Sequence, residues 1–233
     1  MLRPLLLSAA IALALGACDR TATESPMPNT AAAPAAPAQS ENPLLVASTL
    51  AFQAPRFDLI QDAHYQPAIE EGMRQHLAEV RTIADSTEPP TFANTIEALE
   101  RSGALLTRAA SVFFAMTSAH TNEALQAAEQ ALAPKLAEHA DAIHLDPKLF
   151  ARVKALYAQR AESGLTPEQV FLVERTHDNF VRAGAELDAD KQAELRKLNS
   201  EESSLTTTFS NRLLAATKAG GVLVDDVAKL DGL

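Results

Sequence analysis

From Asp188 to Gly220 the sequence reads as one uninterrupted helix, ending in LNSEESSLTTTFSNRLLAATKAGG. Leu195, Leu198, Leu205, Phe209 and Leu213 recur at steps of three, four and seven, which places them on one face of a 3.6-residue period. The Asp188 carboxylate can accept the free N–H groups of the first turn, and Gly220 and Gly221 suit the stop. At 1.5 Å per residue the rod is roughly 45 Å long, enough to line a whole domain. The elements packed beside it are expected to be helices as well. Hydrophobic residues make up 47% of the chain, yet aromatic residues are only 5% and Trp is absent, a balance that favours helix-on-helix packing over a sheet sandwich.

Five further helices are expected upstream. Ile69, Met73, Leu77, Val80 and Ile83 mark the buried stripe of the first, with Pro67 in its first turn and Pro89-Pro90 closing it. Thr91 can cap the second, whose stripe holds Ile96, Leu99, Leu106, Phe113 and Met116, and Gly103 inside it marks a close helix crossing. The third begins near Thr121 or Asn122, buries Leu125, Leu132 and Leu136, and bends or breaks at Pro134. Asp146-Pro147 opens the fourth and Gly164 ends it. Thr166-Pro167-Glu168-Gln169 opens the fifth with a capping box and proline at the first helical position. Val222-Leu223-Val224 reads as a strand with no partner in the chain.

The N-terminal segment has a different texture. Met1 to Arg3 is a short positive region, and Leu5 to Leu15 is an apolar run of about 11 residues, too short to span about 30 Å of hydrocarbon. Leu15-Gly16-Ala17-Cys18 then resembles a bacterial lipobox, so residues 1–17 are expected to be a signal peptide and Cys18 the lipidated first residue. Residues 18–42 are rich in Ala, Pro, Thr and Ser and show neither apolar period, which marks a flexible tether. Residues 43–63 read as an ordered, irregular strap leading into the helices of 43–233. A lipid-anchored protein on the periplasmic side of a bacterial membrane follows, attached through its lipid only.

Catalytic chemistry is hard to find. The formal charge is −10 and no basic block stands out, which argues against a nucleic-acid partner. No two of His64, His76, His120, His139, His144 and His177 are four apart, the spacing that sets two zinc ligands on one helix face. His139 and His144 are about 140° apart around a helix, while His76 and His177 sit beside apolar stripes. Neighbouring Glu70-Glu71 and Glu201-Glu202 point about 100° apart on a helix and share no site. Ser200, Ser203, Ser204 and Ser210 lie on a helix without the strained elbow that activates a nucleophile. No catalytic, cofactor-binding or metal-binding residue is assigned.

Several tracts nonetheless carry a resemblance. Phe57-Asp58 through Tyr65-Gln66-Pro67-Ala68-Ile69-Glu70-Glu71-Gly72-Met73, and Pro90-Thr91-Phe92-Ala93-Asn94-Thr95-Ile96-Glu97-Ala98-Leu99-Glu100 with Ser102-Gly103, resemble the N-terminal region of the thimet-oligopeptidase-like zinc metallopeptidases. Phe180-Val181-Arg182-Ala183-Gly184-Ala185, Leu198-Asn199 through Phe209, and Leu214-Ala215-Ala216-Thr217 are similar to the peptidyl-dipeptidase Dcp branch of that family. The resemblance runs over about residues 43–233.

It implies an almost wholly helical, two-lobed peptidase with a deep channel, whose zinc is held by an H-E-x-x-H helix and a later Glu and which releases C-terminal dipeptides from short peptides. None of those zinc positions has a counterpart in this sequence. The resemblance therefore implies an N-terminal domain, monomeric and inactive alone, whose parent carries the zinc, with apolar surface left exposed where a second lobe belongs. The competing expectation is a stand-alone helical lipoprotein that binds a peptide or protein without catalysis.

Overall fold

Side-chain caps set where the helices begin. The structure, a computed structural model, describes residues 42–221 and 223–231. The expected signal peptide, Cys18 and the tether up to residue 41 lie outside the described residues, as does Val222. Asn42, at the end of that tether, accepts Leu44 N–H at 3.1 Å and caps a 3-10 turn, Pro43–Leu45. A second such turn, Ala51–Gln53, completes the strap.

Six long helices follow, with one short one among them: α1 (Asp62–Ala84), α2 (Ala98–Arg101), α3 (Ala104–Ala119), α4 (Glu123–His144), α5 (Pro147–Gln159), α6 (Pro167–Arg182) and α7 (Ala189–Ala219). The described part is all-α, as the composition and periodicity indicate. None of these helices is long and apolar enough to cross a membrane.

The caps read from sequence hold. Thr91 Oγ1 accepts Asn94 N–H at 3.1 Å while Asn94 Oδ1 accepts Thr91 N–H at 2.8 Å. Asn122 Oδ1 takes Leu125 N–H, Asp146 Oδ1 takes Lys148 and Leu149 N–H, and Asp188 Oδ1 takes Lys191 N–H. Thr166 and Gln169 cap each other reciprocally. Each capping side chain is worth about 1 kcal/mol because it satisfies a donor the helix cannot.

Packing sorts the apolar residues into two cores. In the first, Tyr65, Ala68, Ile69 and Met73 of α1 meet Ala109, Val112 and Phe113 of α3 and Leu125 and Leu132 of α4, with Leu44 of the strap. In the second, Val80, Ile83 and Ala84 from the end of α1 meet Ile96, Ile143 of α4, Leu149, Phe150, Val153 and Leu156 of α5, and Val173 and Phe180 of α6. Helices α1 and α4 run side by side in the same direction through both cores. Helix α3 returns antiparallel to α1, and α7 lies on α4.

Four expectations need correcting. Gly103 is not the crossing glycine. At φ 72° it ends the 92–101 segment, a π-helical turn Phe92–Glu97 leading into α2, and leaves α3 to start afresh. The close crossing is at Gly72, where a Cβ would lie 2.7 Å from Leu106 Cα. Pro67 stands inside α1, which begins five residues earlier, and α4 continues through Pro134. Packing of Leu132 and Leu136 on either side of Pro134 offsets the one lost hydrogen bond.

The expected strand is also not seen. Residues 223–226 have no regular secondary structure and lead to a 3-10 turn, Val227–Leu230. Among the described residues there is no second strand to pair with, and a lone strand leaves its backbone groups unmatched.

On α7 the apolar stripe is not the covered side. Gln192, Leu195, Asn199, Ser200, Ser203 and Thr207 are its more covered residues, whereas Leu198, Leu205, Phe209 and Leu213 are exposed. Its covered side is therefore mostly polar and its apolar stripe points outward.

Candidate functional site

Between the two cores, α1 and α4 meet through polar side chains. His76 follows Met73 and precedes Val80 on α1; His139 stands between Leu132 and Ile143 on α4. Their rings approach with His76 Nδ1 3.0 Å from His139 Nε2, and His76 Nε2 lies 3.0 Å from Ser102 Oγ. Ser102 Oγ donates to Leu99 O at 2.7 Å. Gly103 sits against the other side of this group, where a Cβ would fall 2.8 Å from His76 Nδ1, and its N–H is taken by Glu79 Oε2 at 2.7 Å.

One placement of protons satisfies all three contacts. The single Ser102 hydroxyl proton goes to Leu99 O, so Ser102 Oγ accepts from His76 Nε2–H. His76 Nδ1 is then a bare acceptor and must receive His139 Nε2–H. His139 Nδ1 is left as a buried lone pair without a partner. Both rings are neutral in this arrangement, and the chain of donors runs in one direction from α4 to the α2–α3 junction.

Acid opposes it. Burial pushes His139 down to about 4, with His76 and His144 adding in the same direction; burial also lowers His76, against the pull of Glu79. The unfolded imidazole, with a pKa near 6.5, binds more protons than the folded one between those values, so stability is full above about pH 6.5 and is lost as the pH falls toward 4. At about 1.4 kcal/mol per pH unit and proton the loss is on the order of 3 kcal/mol. Urea melts of the chain at pH 7.5, 6, 5 and 4.5 should show this slope, and His139→Gln should flatten it. An unchanged slope in that variant would assign the acid sensitivity to His76 or to carboxylates.

The remaining candidates separate. Glu70 accepts from Lys135 and Gln66, and Glu71 from Arg74 and Gln75, so adjacent carboxylates serve different partners and both are held below the usual range, by Lys135 and Arg74 first. Glu201 and Glu202 are exposed. Ser203 and Ser204 donate to Ser200 O within α7. His144 Nδ1 lies 2.9 Å from Ala140 O, apart from the His76–His139 contact. His177 stacks on Tyr157 at 3.8 Å, with Arg160 on that ring at 3.9 Å. His64 has a role the sequence reading missed, accepting Gln61 N–H at the start of α1.

Zinc does not fit these residues. Among the described residues no three His, Cys, Asp or Glu side chains converge on a point, and the two imidazoles that do meet spend their facing nitrogens on each other. Cys18 lies outside the described residues.

Sequence comparison places this helical unit. It is 51% identical over 192 residues to the dipeptidyl carboxypeptidase of Escherichia coli (strain K12), a match covering 82% of this chain and 28% of the relative. The chain is a homologue of the bacterial dipeptidyl carboxypeptidases. The Salmonella typhimurium protein of that name is 50% identical over 194 residues, again 28% of its length, and the organellar oligopeptidase A of Arabidopsis thaliana is 29% identical over 195 residues, 24% of its length. These relatives bear out the resemblance to the Dcp branch. No protein-family profile matches the chain.

Proposed function

We propose that this homologue is the N-terminal helical wall of a longer zinc peptidyl-dipeptidase, lipid-anchored through Cys18 at the periplasmic face of a bacterial membrane. The observation that carries the reading is the 51% identity to a dipeptidyl carboxypeptidase over most of this chain but only 28% of the relative. The absence of any histidine pair four apart supports the view that the zinc ligands belong to another part of the polypeptide. In this reading the wall shapes the space in which short peptides lie, and zinc in the parent activates the water that cleaves them. The wall itself supplies rigidity through its two cores.

The 233 residues alone should then release no dipeptide. Residues 19–233, incubated with a short peptide with and without added zinc, should leave it intact. Chelator-sensitive release of a C-terminal dipeptide would overturn the assignment of the chemistry to the rest of the protein.

A further inference from the structure

Resting on that reading, we propose that the outward face of α7 is the seam on which the rest of the full-length polypeptide packs, the 72% that the E. coli relative carries outside the match. The polarity of this helix is inverted. Toward α4, Asn199 Nδ2 donates to the buried Asp141 Oδ1 at 2.7 Å, and Gln192 Nε2 donates to Gly184 O of the α6–α7 connection at 3.2 Å. Away from α4, Leu198, Leu205, Phe209 and Leu213 are 55%, 60%, 66% and 55% exposed. They form a stripe about 22 Å long at helical rise. A helix that hydrogen-bonds its neighbours through its polar side and turns its apolar side out is shaped to lie between two partners.

The area of the stripe chooses among occupants. The four side chains expose roughly 450 Å², about half of the ~800 Å² per partner that a stable two-body interface buries. A second copy would therefore bind weakly through it. A covalently continuous segment needs less area, because its tether replaces the entropy loss of association with a high effective concentration. A formal charge of −10 also disfavours an anionic lipid surface. The occupant is accordingly an apolar helical face of the same polypeptide.

The test compares one double substitution in two settings. Leu205→Glu with Phe209→Glu is introduced into the chain itself, and into a chimera in which residues 42–233 replace the matched segment of the E. coli relative. In the chain, trypsin cleavage rates should be unchanged and hydrophobic-dye fluorescence should fall. In the chimera, cleavage should accelerate at least about tenfold, since two carboxylates would be forced into an apolar seam. Equal rates for the substituted and unsubstituted chimera would overturn the seam alone. So would equal acceleration in both settings, or loss of a dimer of the chain with no effect in the chimera. An unsubstituted chimera that fails to fold would overturn the parent reading and the seam with it.

Discussion

Replacing Arg152 with methionine should lower the melting temperature of the chain by roughly 6–12 °C, the equivalent of about 3 kcal/mol for a domain of this size. Arg152 is 7% exposed on α5, and among the described residues no carboxylate contacts its guanidinium. Its charge is instead received by oxygens of the segment between α1 and α2: Nη1 donates to Ser86 O at 3.1 Å and Glu88 O at 2.9 Å, and Nη2 to Asn94 Oδ1 at 2.9 Å. Asn94 Oδ1 also accepts Thr91 N–H and Thr95 Oγ1–H, so the same atom caps a helix and holds the guanidinium. Methionine keeps the apolar stem but strips the donors from two part-buried carbonyls and from Asn94 Oδ1, and acceptors that lose their partner cost up to about 1–3 kcal/mol each. Arg152→Lys should recover only part, because one ammonium cannot span three acceptors set for a fork. A methionine variant melting within 2 °C of the parent would show that water replaces the donors.

Gly72→Ala should cost about 2 kcal/mol, the reverse of what the substitution does in an open helix. Helix propensity alone favours Ala over Gly by about 1 kcal/mol. Here the added methyl would lie 2.7 Å from Leu106 Cα and 2.8 Å from Leu106 N, both backbone atoms of α3, so the two helices must move apart. Separating them loosens Tyr65, Ile69 and Phe113, the last two fully buried, and overpacking of this kind costs about 1–3 kcal/mol. Gly164→Ala is the control: the site is open, but φ is 68°, so about 1 kcal/mol of backbone strain is expected there without a clash. A Gly72→Ala variant more stable than the parent in chemical denaturation would mean that α1 and α3 are not held at this distance.

What the sequence disclosed, and what it hid, follow from the range of the interactions involved. Thr91, Asn122, Asp146, Thr166 and Asp188 each bond to a backbone group two or three residues away, so their roles can be read from neighbours alone. Gly72 and Gly103 look alike in a linear text. Both are closely approached, but Gly72 faces the backbone of Leu106, 34 residues on, whereas Gly103 faces the His76 ring at φ 72°, and only that separates a helix crossing from a helix break. The stripe on α7 was legible as a stripe, but periodicity fixes which residues share a face and says nothing of which face meets a neighbour; Asn199 reaching Asp141 across 58 residues decided that. The histidine pair was invisible for the same reason, its members lying 63 residues apart on different helices. Read singly, His76 stood beside an apolar stripe, whereas His139 was set against His144 at the wrong spacing for a shared site; the structure instead buries His139 against His76.

The polar contact between the two cores has a consequence for how the chain finds its alignment. Leucines and valines tolerate a shift of one helical turn, because another apolar residue of the same stripe moves into the vacated place. His76 and His139 do not. If α1 slid by a turn against α4, His76 Nδ1 and His139 Nε2 would part, leaving the buried His139 with neither ring nitrogen bonded, at a penalty of a few kcal/mol. The pair thus acts as a key in its slot, making one register of two otherwise interchangeable greasy surfaces the only one that closes.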